Sequence, residues 1–350
     1  MTNLVFVLML SAALAAYLYW GITTLPRERW QILATVPVRK KEGDWWDGVN
    51  LTWYGLLTGN AYVVSVAVLF ILMGAVKVPL AGTALLVTIM LACCVPASRL
   101  VARVVEKKAH TFTVGGAVFV GVLIAPAVVW LVNRTMGEAQ AFSISPAAAL
   151  AALAIAYACG EGLGRLACIS FGCCYGKPLD DAPAWQRRIF FGRSFIFSGR
   201  TRKIAYEGGL EGIKVIPVQA LTAIIYSCIA VISATLFLHS LYGLSFILAL
   251  VSTQAWRVFS ETLRADYRGS GSFSAYQVMG LISIVYGAVV IFLAPVDSSV
   301  SPSSIAGVAA LWHPAPLLFL QGVWFAIFLY TGRSTVTGAT VSFHVHQDRI

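Results

Sequence analysis

The chain has 350 residues, 59 % of them hydrophobic and only 11 % charged, with a net charge of +10 and a mean hydropathy of +0.80. A soluble domain carries roughly 45–50 % apolar and 25 % charged residues. The excess excludes a dinucleotide-binding enzyme, a nucleic-acid binder and a disordered tail protein, and points to a polytopic membrane protein whose positive balance suits anionic lipid or a phosphate-bearing substrate.

Nine apolar runs are long enough to span: about 4–22, 51–73, 80–98, 114–132, 147–166, 217–239, 243–260, 275–294 and 313–331. The alternating pattern of a barrel is absent, so the expected fold is all-α, with about nine transmembrane helices. The first run has no basic residue before it and is long for a signal peptide, so it reads as a retained span. Between the runs lie a polar stretch at 24–50, a second at about 167–215, and a Ser/Pro/Ala-rich linker at 296–312. Neither an internal repeat nor a heptad array is present. Alternating spans put 23 of the 25 Lys and Arg on one side, leaving only Lys77 and Arg134 on the other. The positive-inside rule would make that basic face cytoplasmic, unless its arginines serve a substrate.

Four clusters can carry chemistry. "TWYGLL" at 52–57 opens the second run with Trp53 and Tyr54. Such aromatics also serve as ordinary interfacial belt residues. In 98–121, Arg99 and the lone His110 precede Gly115-Gly116. A histidine near a span end can titrate close to neutral pH, although an exposed loop histidine would look the same. In "EGLGRLACISFGCCYGKP" at 161–178, Glu161 and Arg165 are spaced to pair on one helix face, and Gly160, Gly162 and Gly164 permit close approach of a helix or a ligand. Gly172 and Gly176 then bracket Cys173, Cys174 and Tyr175 in a tight turn. In "QAWRVFSETLRADYRG" at 254–269, Arg257, Glu261 and Arg264 fall on one helical stripe. Two arginines around one glutamate leave a positive charge at the membrane edge, which a phosphate would satisfy.

Seven cysteines is an odd number, and most lie inside apolar runs, so a secreted disulfide framework is not expected. Cys93-Cys94 sits mid-span and reads as packing. Cys168, Cys173 and Cys174 could be metal ligands, but the adjacent Cys173-Cys174 lacks C-x-x-C spacing and has no His-rich partner, so no metal site is expected; a Cys173–Cys174 vicinal disulfide or a reactive thiol is the alternative.

The order of "WYGLL", "SRL", "TFTVGG", "GRLACISFGCCYG", "IPVQAL" and "WRVFSETLRADYRG" resembles the prolipoprotein diacylglyceryl transferase family over about 50–295, seven spans. The family signature, Gly-Arg followed by two glycines at fixed spacing, is matched by Gly164, Arg165, Gly172 and Gly176, then Lys177-Pro178. The resemblance divides the chain into residues 1–50, an extra span and polar loop; 51–295, the transferase-like core including loop 167–215; and 296–350, a linker, an extra span and a tail. It implies catalytic roles for Arg165 and Arg257, and the base that the reaction needs could be His110, Glu261 or a tyrosinate, among which the sequence does not choose. It implies substrate contacts at Tyr54, Arg99, Gly164, Cys168, Gly172 and Cys173, and also at Tyr175, Gly176, Gln219 and Arg264.

The chain departs from the family at four places. Cys168 stands where the family usually has Asn, Cys173 where it has Glu, and Val114 where a His precedes the double Gly, so His110 would be a shifted substitute. The family's "HPTQLYE" is reduced to Pro217 and Gln219.

The implied reaction moves the diacylglyceryl group of phosphatidylglycerol, or of another anionic phospholipid, to a cysteine thiol. The acceptor is a lipoprotein precursor or another thiol, and glycerol phosphate is released. This is a step of lipoprotein biosynthesis in the bacterial inner membrane. Cations must meet the developing phosphate charge and a base must form the thiolate. No cofactor and no nucleic acid are needed. The resemblance also turns the signature loop outward, against the charge count. Two alternatives stand beside this reading: a same-fold transferase with a non-protein acceptor, and a phospholipid-binding or exporting protein that has lost the chemistry.

Overall fold

The computed structural model describes residues 2–28, 31–107, 113–266, 273–295 and 301–350. Among them, all nine predicted spans form long helices: α1 Thr2–Thr24, α2 Trp53–Ala75, α3 Leu80–Val105, α4 Val114–Val132, α5 Pro146–Phe171, α6 Val218–Leu238, α7 Tyr242–Ser260, α8 Ala275–Leu293 and α9 Pro314–Gly332. Eight of these are long and apolar enough to cross a membrane. The exception is α7, whose Thr253, Gln254 and Arg257 are buried against neighbouring helices. The protein is thus an all-α polytopic membrane protein.

Helix α5 is the central element. It packs most extensively against α2 and α6 and also meets α7. Its first turns, Ala147–Ala152, are wholly buried, because a run of small side chains lets neighbouring backbones approach closely. A methyl group at Gly160 would come 2.7 Å from Ser65 of α2, and one at Gly162 2.8 Å from Ser227 of α6. These two glycines set the spacing of the three helices. Helices α3 and α4 pair and close the side facing α2 and α5.

The two expected loop regions at the ends of the chain contain a sheet. β1 Ile32–Lys40 and β2 Trp45–Thr52 form an antiparallel hairpin, and β3 Arg333–Ser342, from the expected tail, pairs antiparallel with β2. Chain-end strands in a mostly polar, exposed segment lack the clean alternation that marks a half-buried strand, which hid them in the sequence. The expected linker likewise holds a helix, Ser304–Leu311. Helix α9 docks on α2: Trp324 donates to Asn60 Oδ1 at 2.9 Å, and Thr52 Oγ1 donates to the Gly332 carbonyl at 3.0 Å.

The basic loop after α5 is held by Arg202, which is fully buried. Its guanidinium donates to the carbonyls of Ile169 (3.0 Å), Leu25 (2.9 Å) and Glu28. One side chain thus ties the end of α5 to the end of α1.

Candidate active site

A cavity of about 280 Å³ opens between α2, α3, α4 and α5. Most of its wall is apolar, including Leu69, Val87, Met90, Val118, Val122 and Leu150, and its charged lining residues, Glu161 and Arg165, lie at one end with Tyr54, Tyr157 and Cys168. A smaller polar pocket adjoins that end, lined by Arg165, Cys174, Gln219, Arg257, Glu261 and Arg264. Arg165 borders both.

The predicted Glu161–Arg165 pair forms along α5, and Arg257 Nη2 of α7 lies 3.5 Å from the same Glu161 Oε1. Two guanidiniums from different helices therefore bracket one carboxylate oxygen. All three side chains are more than nine-tenths buried. The Nε of Arg165 and the Nε of Arg257 have no hydrogen-bond partner among the described residues. Desolvated donors of this kind are costly unless something accepts from them. One glutamate between two arginines leaves one positive charge, which matches the single negative charge of a phosphodiester.

Arg257 is steered by groups that the sequence reading did not single out. Its Nη2 lies 3.1 Å from the Tyr157 hydroxyl, which donates onward to Tyr226 at 3.4 Å, and Tyr226 donates to the Thr253 carbonyl at 2.8 Å. Tyr157 stands four residues before Glu161 and eight before Arg165, so the helical stripe that found the ion pair also passes through it. Gly115 explains the double glycine: a methyl group there would lie 2.7 Å from Arg257 Nη1 and 2.7 Å from Tyr276.

The predicted Arg257–Glu261–Arg264 stripe is corrected. α7 ends at Ser260, Glu261–Leu263 form one 3₁₀ turn, and Arg264 is extended. The reason is tertiary. Gly176 and Arg264 form an isolated antiparallel bridge, and Lys177 N–H donates to the Leu263 carbonyl at 2.9 Å, so the chain here pairs with the signature turn and leaves the helix. Arg264 still lies 3.7 Å from Glu261, and it grips Asp266 through Nε at 2.7 Å and Nη2 at 2.6 Å. The positive excess expected of this cluster is thereby offset by Asp266.

The signature turn follows from the end of α5. Gly172 caps the helix with φ +69°, and the N–H groups of Gly172 and Cys173 both return to the Cys168 carbonyl, at 2.8 and 3.1 Å. Gln219 Nε2 donates to the Cys173 carbonyl at 2.8 Å. A methyl at Gly176 would lie 2.3 Å from the Ile216 carbonyl oxygen, so that position must be Gly for the strands to touch. The turn folds Cys173 and Cys174 back over Cys168, and the three sulfurs lie within 4.8 Å of one another. Spacing along the chain argues against a metal site at these same three cysteines, and it does not reveal that their sulfurs converge. Hydrogen bonds from the Cys168 and Cys173 thiols, then the charges of Arg264 and Arg165, pull the Cys174 thiol well below its usual range. Hydrogen bonding with Cys168 and Cys174, and then burial, push Cys173 up. Burial alone would lower Lys203, but the Cys173 sulfur and Glu207 outweigh it and raise the ammonium.

The remaining predicted residues divide. Tyr54 lines the cavity beside Phe171, with ring centroids 5.5 Å apart, and Gly164 lines it too. Tyr175 lines neither space and packs under Gly208. Arg99 is exposed on α3, lines neither space, and stacks over the Tyr330 ring at 4.0 Å. His110 lies outside the described residues.

No curated protein matches the sequence. The prolipoprotein diacylglyceryl transferase family matches it over residues 45–293, which takes in the cavity, both arginine clusters and the signature turn. A match over well more than half of the chain shows that it belongs to the prolipoprotein diacylglyceryl transferase family, a family of membrane transferases.

Proposed function

We propose that the protein transfers the diacylglyceryl group of phosphatidylglycerol to the cysteine thiol of a lipoprotein precursor and releases glycerol phosphate. The observation that carries this reading is the polar end of the cavity, where two buried guanidiniums converge on one glutamate and keep unpartnered Nε donors. Acyl chains occupy the apolar cavity, and the phosphate meets Arg165 and Arg257. The acceptor sulfur attacks the glyceryl carbon, and the C–O bond to phosphate breaks. The electron pair stays on the phosphate oxygen, where Arg165 and Arg257 stabilise it more strongly than in the ground state. Glu161 holds both guanidiniums in place before substrate arrives.

The test is glycerol phosphate release from phosphatidylglycerol by purified protein, with and without a lipobox peptide containing Cys. Release only with peptide is expected. No release in either case would favour the phospholipid binder. The cysteines at 168 and 173, where the family usually has Asn and Glu, are the feature that supports the binder, and release with a non-protein acceptor alone would favour the second transferase reading.

The same reading turns the signature loop away from the cytoplasm, where exported precursors emerge. A Cys introduced at Gly199, with the native cysteines replaced, is expected to react with a membrane-impermeant maleimide on spheroplasts. Reaction only after lysis would put the loop inside and exclude an exported acceptor.

A further inference from the structure

The reaction needs a thiolate acceptor, and Glu261, the candidate base within the arginine clusters, is held 3.7 Å from the Arg264 guanidinium. The three-cysteine turn lies where that need arises. Cys168 lines the lipid cavity, Cys174 lines the adjoining polar pocket, and Cys173 completes the trio. The turn is over-determined by its neighbours. The Cys173 backbone is held at both N–H and C=O, and Cys174 adopts φ +55°, a left-handed conformation costly for a residue other than glycine. Such strain persists only where the surroundings enforce it, and it clusters at functional sites.

We propose that Cys168, Cys173 and Cys174 form a tris-thiolate site for a divalent cation of the zinc class, and that its open fourth position takes up the acceptor thiol. Zn–S bonds of about 2.3 Å in a tetrahedron put the sulfurs roughly 3.8 Å apart. The observed sulfurs are within 4.8 Å of one another, so a contraction of no more than about 1 Å closes the site. Three protein ligands with one vacancy is the pattern of a reactive rather than a structural zinc site. The charge fits as well. Three thiolates and a divalent ion total −1, and Arg165 Nη1 lies 3.9 Å from Cys168 Sγ as an outer-shell donor. Arg264 is matched by both Asp266 and Glu261, so that side of the pocket does not repel a cation.

Bound to the metal, the acceptor loses its proton to solvent and remains nucleophilic at neutral pH. Its sulfur then forms the S–C bond as the C–O bond to phosphate breaks. No electron is gained or lost by the metal. This role rests on the proposed transferase reading, whereas the metal site itself does not.

Detergent-purified protein, fully reduced and stripped with chelator, is titrated with cobalt(II). Equimolar binding is expected, with a near-ultraviolet sulfur-to-cobalt charge-transfer band that zinc displaces. C168S, C173S and C174S are each expected to weaken binding by more than the roughly 10–100-fold that loss of an outer-shell partner costs. C228S, at an exposed cysteine outside the cluster, is expected to leave binding unchanged. A measurement on the unsubstituted protein guards against misfolded variants: zinc is expected to slow maleimide alkylation of all three cysteines, mapped by mass spectrometry. Absence of the band, its survival in the triple variant, or alkylation rates indifferent to zinc would each overturn the site. The release assay separates the two readings. Metal binding without peptide-dependent release leaves the site standing and removes the transferase role. Release that is indifferent to zinc in metal-free protein keeps the transferase reading and overturns the metal's part in activating the acceptor thiol.

Discussion

The two arginine clusters meet at the polar end of one cavity but are built in opposite ways. On α5, Tyr157, Glu161, Arg165 and Cys168 follow helical spacing, and one rigid element presents them all. At the end of α7, Arg257, Glu261 and Arg264 have the same sequence spacing, yet the helix stops at Ser260 and Arg264 is placed by pairing with the signature turn. The comparison teaches that equal spacing in sequence gives one stripe only where no stronger backbone partner competes. The α5 cluster draws its geometry from its own hydrogen bonds, and the α7 cluster borrows half of its geometry from a distant segment.

The sharpest way to break this pairing is at Arg257, which links the clusters through Glu161. Arg257→Ala is expected to remove about 2–4 kcal/mol of transition-state stabilisation, a loss of roughly 30- to 1,000-fold in glycerol phosphate release. Arg264→Ala should be milder, because Asp266 and Glu261 already occupy its guanidinium. Equal losses in the two variants would mean that both arginines meet the phosphate.

Arg202→Met tests how far the α5 cluster depends on its C-terminal brace. Three carbonyls lose their donor, and a cost of about 2–3 kcal/mol is expected in thermal stability, read as an earlier unfolding midpoint in detergent. An unchanged midpoint would show that α5 and its turn hold themselves.

Gly115→Val intrudes on the borrowed cluster from the opposite helix. Its side chain would overlap Arg257 Nη1 and Tyr276, at a cost of about 1–3 kcal/mol. Release should fall with kcat more than with KM, since the displaced group acts on the leaving phosphate. A rise in KM alone would place Gly115 in lipid binding instead. The smallest effect is expected at Arg99, whose stacking on Tyr330 is worth about 0.5–1 kcal/mol. Arg99→Ala should shift the unfolding midpoint slightly and leave release nearly intact. A large loss of release would return Arg99 to the site that its family resemblance suggested.

The sequence by itself determined the long helices and the Glu161–Arg165 pair, because length, hydropathy and an i,i+4 interval are local properties that a lipid environment leaves no alternative to satisfying. Gly172 and Gly176 were legible as the brackets of a tight turn, but that one caps α5 and the other meets the Ile216 carbonyl was decided by the tertiary structure. The end strands were not, because a sheet edge is completed only by β3, nearly the whole chain away from its partner β2. Only tertiary structure decided that Arg257 reaches Glu161 and that Tyr157 and Tyr226 steer it. It alone turned Arg264 away from its helix, and it alone brought three sulfurs to within 4.8 Å. Each of these depends on which side chains two separate elements place at one point. Spacing along a single element cannot specify that, because it fixes direction within a helix and not the distance between helices.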